Sequence, residues 1–196
     1  TYRGNRRRNA LELKQWHGGL PPEPALDSWV PIVDPHHHLY GTQSDAFHYT
    51  LEDLVGDLSS GHRVMGTVYL EAYDSGWKTD GPQALRSSGE VEMIVRVAGS
   101  QPLSTPLGPC RVAAGIVSNV DLTLGDEAQA VIERHVEASR GRLRGIRHHL
   151  THDEGAAGRF VYNKPPYLAA DPAFRAGFGC LARAGLAFDA FIFHSQ

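Results

Sequence analysis

The sequence has little that would staple, anchor or charge the chain. Two cysteines, Cys110 and Cys180, are too few for a disulfide scaffold and fit a reducing compartment, so a cytoplasmic location is expected. No apolar run approaches the roughly 18 residues that cross a bilayer, and no charged-then-apolar signal segment opens the chain. Basic residues are in no excess: 19 Lys and Arg stand against 22 Asp and Glu, a net charge of −3, which argues against a general nucleic-acid binder. No Gly-x-Gly-x-x-Gly follows an apolar run, and neither a Walker loop nor a Gly-x-Ser-x-Gly elbow occurs, so nucleotide binding and serine hydrolysis lack their motifs. With 41% hydrophobic and 21% charged residues over 196 positions, the composition is that of one globular domain or part of a larger one.

Histidine is plentiful. It occurs eleven times, with two clusters at His36-His37-His38 and His148-His149. Residues 1–29 read as a polar leader. It holds a basic run, Arg6-Arg7-Arg8, taken as a solvated helix face, and an amphipathic pattern at Ala10, Leu11, Leu13 and Trp16. Gly18-Gly19 and Pro21-Pro22 then break the chain.

From residue 30 onward, apolar runs alternate with helical periodicity. Strands are expected at Val30–Val33, Val64–Leu70, Val112–Val117, Leu143–Ile146 and Leu186–Phe193. Helices are expected near Thr50–Leu58, Gly89–Ala98, Gly125–Ala138 and Ala173–Ala184, the first with Thr50 as N-cap and Asp53 in an imperfect capping box. No hairpin signal separates the strands. A βαβαβαβαβ order means parallel strands joined by right-handed crossovers. Two architectures fit: a five-stranded doubly wound sheet, or the first five units of an eight-stranded (β/α) barrel, which needs about 250 residues. Polar groups end every strand: His36 and His38, Glu71, Asn119 and Asp121, Arg147, His194. A barrel gathers all strand ends around one mouth, whereas a doubly wound sheet uses one switch point, so the distribution favours the barrel.

These strand-end residues carry the candidate chemistry. His36 and His38 are two apart on a strand, so their side chains share a face, and neutral imidazole is the commonest metal ligand. Asp34 shares that parity and is placed to orient a histidine. His194 emerges from Phe191-Ile192-Phe193 and needs a polar partner, whether a metal, a substrate oxygen or the backbone. Arg147 is suited to grip a substrate carboxylate, or to pair with a strand-end acid such as Glu71. Glu71 and Asp121 are acid–base candidates or arginine partners. His148, His149 and His152, with Asp153 and Glu154, are expected in a polar surface loop, and Tyr69 and Trp77 as packing groups.

The run Pro31-Ile32-Val33-Asp34-Pro35-His36-His37-His38-Leu39 resembles the opening strand of the amidohydrolase-related family of predicted metal-dependent barrel hydrolases. Further blocks resemble its lactonase-like branch, among them Gly66–Glu71, Gly89-Glu90, Asp121–Asp126, Arg144–His148, Asp171–Phe178 and Gly185–Asp189. The resemblance implies an α/β fold of the TIM (β/α)8 type, here ending after the fifth strand, and a metal held by His36 and His38. His194 is implied as a further ligand or carbonyl contact, with Arg147 as a second catalytic residue and Glu71 and Arg147 on the substrate. Zinc is the implied ion, with manganese as the alternative. Lactonases of this branch that work without metal leave metal dependence open. The implied activity is opening of a lactone or related cyclic ester of a carboxylated small molecule. A decarboxylase of the same superfamily and a non-catalytic five-stranded binding domain are the alternatives. The expected partner is a small, anionic substrate; homo-oligomerisation is left open. The residues of strands six to eight are absent, so the 196-residue chain alone is expected to be an inactive partial barrel.

Overall fold

In a computed structural model, the structure describes residues 8–21, 23–45, 47–72, 75–155, 157–159 and 162–196. Arg6 and Arg7 of the leader's basic run lie outside them. Arg8 sits over the Trp16 ring, 5.6 Å from its centroid. The leader forms helix α1 (Ala10–Gly18), started by a reciprocal capping box between Asn9 and Glu12.

Alternation of apolar strand and amphipathic helix then takes over. Strand β1 spans Ile32–His37, helix α2 Leu51–Leu58 and strand β2 Val64–Leu70. Helix α3 spans Ser88–Ala98, the short strand β3 Leu103–Thr105 and strand β4 Gly108–Asn119. Helix α4 (Ala128–Ala138), strand β5 (Leu143–His149), helix α5 (Pro172–Ala184) and strand β6 (Ala187–Phe191) complete the order. The five long strands are parallel and lie in the order β1-β2-β4-β5-β6. The order never reverses, so there is no topological switch point of the doubly wound kind. Helices α3, α4 and α5 pack on one another in chain order along the sheet. Ile94, Ile116, Ile132 and Ile146 fill the layer between helices and sheet. Full burial of such a side chain contributes roughly 1.5–3 kcal/mol.

Four expectations are corrected. A hairpin does occur: β3 pairs antiparallel with the start of β4 around Pro106-Leu107, with Thr105 opposite Gly108. Its three residues sit among prolines and are too short to show alternation. β1 begins at Ile32 and is not a buried strand; Val33 is 62% exposed, because among the described residues β1 pairs with β2 alone. α4 starts three residues later than the periodicity predicts. Gly125 (φ 63°, ψ −138°) breaks the helical path inside the 3-10 segment Leu122–Glu127 that precedes α4. Finally, β5 continues through His149, so His148 and His149 are buried strand residues rather than loop residues.

Candidate active site

The C-terminal ends of the parallel strands bring polar side chains together. At the end of β1, alternation sends His36 and His38 to one side and His37 to the other. The Nε2 atoms of His36 and His38 stand 3.0 Å apart. His38 Nδ1–H donates to the Leu70 carbonyl at 2.9 Å. A carbonyl only accepts, so the His38 proton lies on Nδ1 and its Nε2 presents a lone pair. Bonds of about 2.0–2.1 Å to one divalent ion, at angles of about 90–110°, place two nitrogens about 2.8–3.4 Å apart. The pair therefore fits one edge of a metal's coordination shell, with the backbone fixing one ring. Burial, then His38 and Arg147, lower the His36 pKa, which keeps the ring neutral as a ligand must be. Asp34 acts on the backbone instead of a ring: its Oδ1 accepts the His36 N–H at 3.1 Å.

Across the strand ends, Glu71, Arg147, His149 and Asp189 form a network. His149 Nε2 lies 2.8 Å from Glu71 Oε1. Arg147 Nε donates to Asp189 Oδ1 at 2.9 Å, and its Nη1 lies 3.9 Å from Glu71 Oε1. Glu71, Arg147 and His149 are all buried. Arg147 is thus placed in an ion pair with strand-end acids, the second of its two expected roles, and Glu71 faces protein partners. The Arg147 guanidinium also sits 5.5 Å from the Phe191 ring centroid. Arg147 and Asp189 both act electrostatically on His36, which ties the network to the histidine pair.

His194 does not join this assembly. β6 ends at Phe191, the chain turns through a bond from Gln196 N–H to the Phe193 carbonyl, and His194 is exposed in that turn. Among the described residues, no group of three or more His, Cys, Asp or Glu side chains is set to hold a metal. The arrangement thus offers two imidazoles to a cation.

Three residues matter more than the sequence indicates. Glu90, in the first turn of α3, is 2% exposed. It accepts from Tyr69 OH at 2.7 Å, from Ala72 N–H at 2.5 Å and from Trp77 Nε1–H at 3.1 Å. It thereby holds the backbone next to Glu71, and burial pushes its pKa up to about 7. The available signal is its place four residues before Ile94 on the buried stripe of α3. His135 is fully buried between Ser87 Oγ at 3.1 Å and Ser118 Oγ at 2.9 Å, tying α3, β4 and α4 together. Burial lowers its pKa to about 4. His148 turns to the helix side, where Phe174 packs edge-on 5.4 Å away.

Beside the network a cleft of about 640 Å³ opens at the ends of β4 and β5, lined by Trp77, Asn119, Asp121, His148, His149 and Lys164 among others. That volume suits a small molecule. No helix among the described residues is long and apolar enough to cross a membrane. Compared with family models, with curated proteins and with solved structures, the chain matches none.

Proposed function

We propose that this chain is part of a cytoplasmic metal-dependent hydrolase of the amidohydrolase type, and that its five parallel strands are the first five of an eight-stranded (β/α) barrel. The observation that carries this reading is the His36–His38 pair, with Nε2 atoms 3.0 Å apart at a strand end and with Arg147 and Asp189 acting electrostatically on His36. Unreversed strand order supports the barrel, in which strand ends form one catalytic mouth. The substrate is a lactone or related cyclic ester of a carboxylated small molecule. His36 and His38 would hold zinc or manganese. A divalent cation bound there supplies carbonyl polarisation and lowers the pKa of water from about 16 towards about 7. The Leu70 carbonyl keeps His38 in the ligating tautomer. Arg147 holds Glu71 and Asp189 in place. Asp189, whose side chain is 34% exposed, is the carboxylate of the network open to solvent and takes up the proton that water loses.

The test titrates the chain with zinc against a chromophoric chelator and screens the full-length enzyme against a panel of sugar-acid and aromatic lactones for ring opening. One zinc per chain is expected, weakened at least about 100-fold by His36→Ala or His38→Ala, since even partners of ligands are worth 10–100-fold. Absence of zinc and manganese binding to the unsubstituted chain overturns the metal assignment. Carbon dioxide release from carboxylated aromatics without ring opening replaces the hydrolase with a decarboxylase.

A further inference from the structure

The cleft contains a hydrogen-bond donor and a cation that the proposed hydrolysis does not use. His148 Nδ1 accepts the Leu122 N–H at 3.0 Å. An amide N–H only donates, so the neutral ring carries its proton on Nε2. Burial lowers the pKa of His148 to about 4, with nearby Asp121 opposing and Lys164 adding to the effect, so the ring is neutral at neutral pH. The Val120 carbonyl also acts on the ring, no side chain among the described residues hydrogen-bonds Nε2–H, and the residue lines the cleft. His148 therefore offers the cleft a donor in one fixed tautomer and one fixed position.

Lys164 lines the same cleft. Its backbone is pinned on both sides: its N–H donates to the Thr151 carbonyl and its carbonyl accepts from His152 Nδ1, each at 2.7 Å. No carboxylate among the described residues lies within ion-pair distance of its ammonium group. Arg147, by contrast, is already matched by Asp189 and Glu71. Asp121 is the acid on the rim, and Thr123 occupies its Oδ1 through both the backbone N–H and the hydroxyl. Trp77, Leu124 and Leu168 give the cleft an apolar wall, with the Trp77 indole N–H tied to Glu90. A fixed neutral donor and an unmatched cation beside a flat apolar wall suit one carboxylate on an apolar body, and Asp121 disfavours a second negative charge.

We propose that this cleft is a binding site for an aromatic monocarboxylate, its carboxylate held by His148 Nε2–H and the Lys164 ammonium group and its ring against Trp77. The site needs neither metal nor turnover, so it stands or falls apart from the hydrolase reading.

Benzoate is the probe, followed by tryptophan fluorescence and by calorimetry on the metal-free protein. Trp16 and Trp29 lie in the exposed leader, and Trp77→Phe identifies which indole responds. Saturable binding is expected, lost at least about tenfold with Lys164→Met, as hydrogen bonds to charged groups are worth. Lys164→Met leaves the backbone bonds intact, so its melting temperature should match that of the parent. Benzamide, the neutral analogue, and phthalate, with its second charge, should each bind at least about tenfold more weakly than benzoate. Asp121→Asn should tighten benzoate and narrow the gap to phthalate. Equal affinity for benzamide and benzoate, or no change in a folded Lys164→Met, overturns the proposal, as does absence of saturable benzoate binding.

Discussion

Three histidines stand in a row at the end of β1, and the middle one serves a different purpose. His37 is buried on the helix side, with its Nε2 2.9 Å from Thr67 Oγ1 and its ring 5.7 Å from that of Tyr69. Thr67 Oγ1 also accepts the Ala113 N–H at 2.9 Å, so the Thr67 proton goes to His37 Nε2. His37 thus braces β1 against β2 and β4. We predict that His37→Ala lowers stability by about 1–3 kcal/mol in urea unfolding and leaves zinc affinity within about threefold. A loss of zinc affinity equal to that of His36→Ala would place all three rings on one side and refute the assignment. The parity of this motif was legible from the spacing alone, because alternation is a backbone property. The partners of Arg147 were legible only as one of two options, since Asp189 lies 42 positions away and nothing local links the two. Glu90 and His135 were hidden for the same reason: each looks like an ordinary helix residue until three elements close around it.

At the scale of elements, helices and interior strands could be read because periodicity and caps are local. α2 is an example, where Thr50 N–H donates to Asp53 Oδ2 at 2.7 Å in the capping box. The ends of β5 and β6 could not, because polar residues such as His148 and His149 enter a strand only when the neighbouring strand and helices bury them. The close seat of α5 was equally invisible. Gly177 lies mid-helix, where alanine ordinarily stabilises by about 1 kcal/mol. Here a Cβ would lie 2.1 Å from the Leu122 carbonyl oxygen, in the 3-10 segment that begins beside the cleft. The backbone there cannot yield as a flexible side chain would. Gly177→Ala is therefore predicted to destabilise by about 1–3 kcal/mol, reversing the helix-propensity sign. Gly179→Ala, two residues on with its nearest contact 3.9 Å away at the Arg183 guanidinium, should be neutral or mildly stabilising. Urea midpoints of the two variants decide it: equal shifts would mean that α5 is not tightly seated.

For the whole molecule, buried titratable groups set how stability varies with pH. His37, His135 and His148 each titrate near 4 when folded, against 6.5 as free side chains. Their contributions are complete above pH 6.5 and fall away as pH drops towards 4, because the unfolded chain takes up the protons first. Glu90 runs the other way. Its pKa of about 7, against 4.5 unfolded, favours the folded state below pH 4.5 and is lost as pH rises through 7. Three groups oppose one, leaving a net of about two protons, or at most about 2.7 kcal/mol per pH unit, between pH 4.5 and 6.5. Melting temperature at fixed ionic strength is predicted to climb from pH 4.5 to about 6.5 and to flatten or dip towards pH 7. Glu90→Gln, which cannot ionise, should melt lower overall but show a steeper climb. A maximum at pH 4.5 would contradict the burial of the three histidines.

The unreversed strand order also carries a consequence in time. Ile32 pairs with Val64, Gly66 with Arg111, Ile116 with Leu143 and Gly145 with Ala187, so paired positions lie only about 27 to 45 residues apart along the chain. At a synthesis rate of about 5–20 residues per second, each strand leaves the ribosome roughly 1–9 seconds after the strand it will join. Every strand emerges to find its template already made and its far edge bare. The nascent chain can therefore lengthen its sheet stepwise from the first strand outward, never waiting for a distant segment to be translated before the next pairing can form.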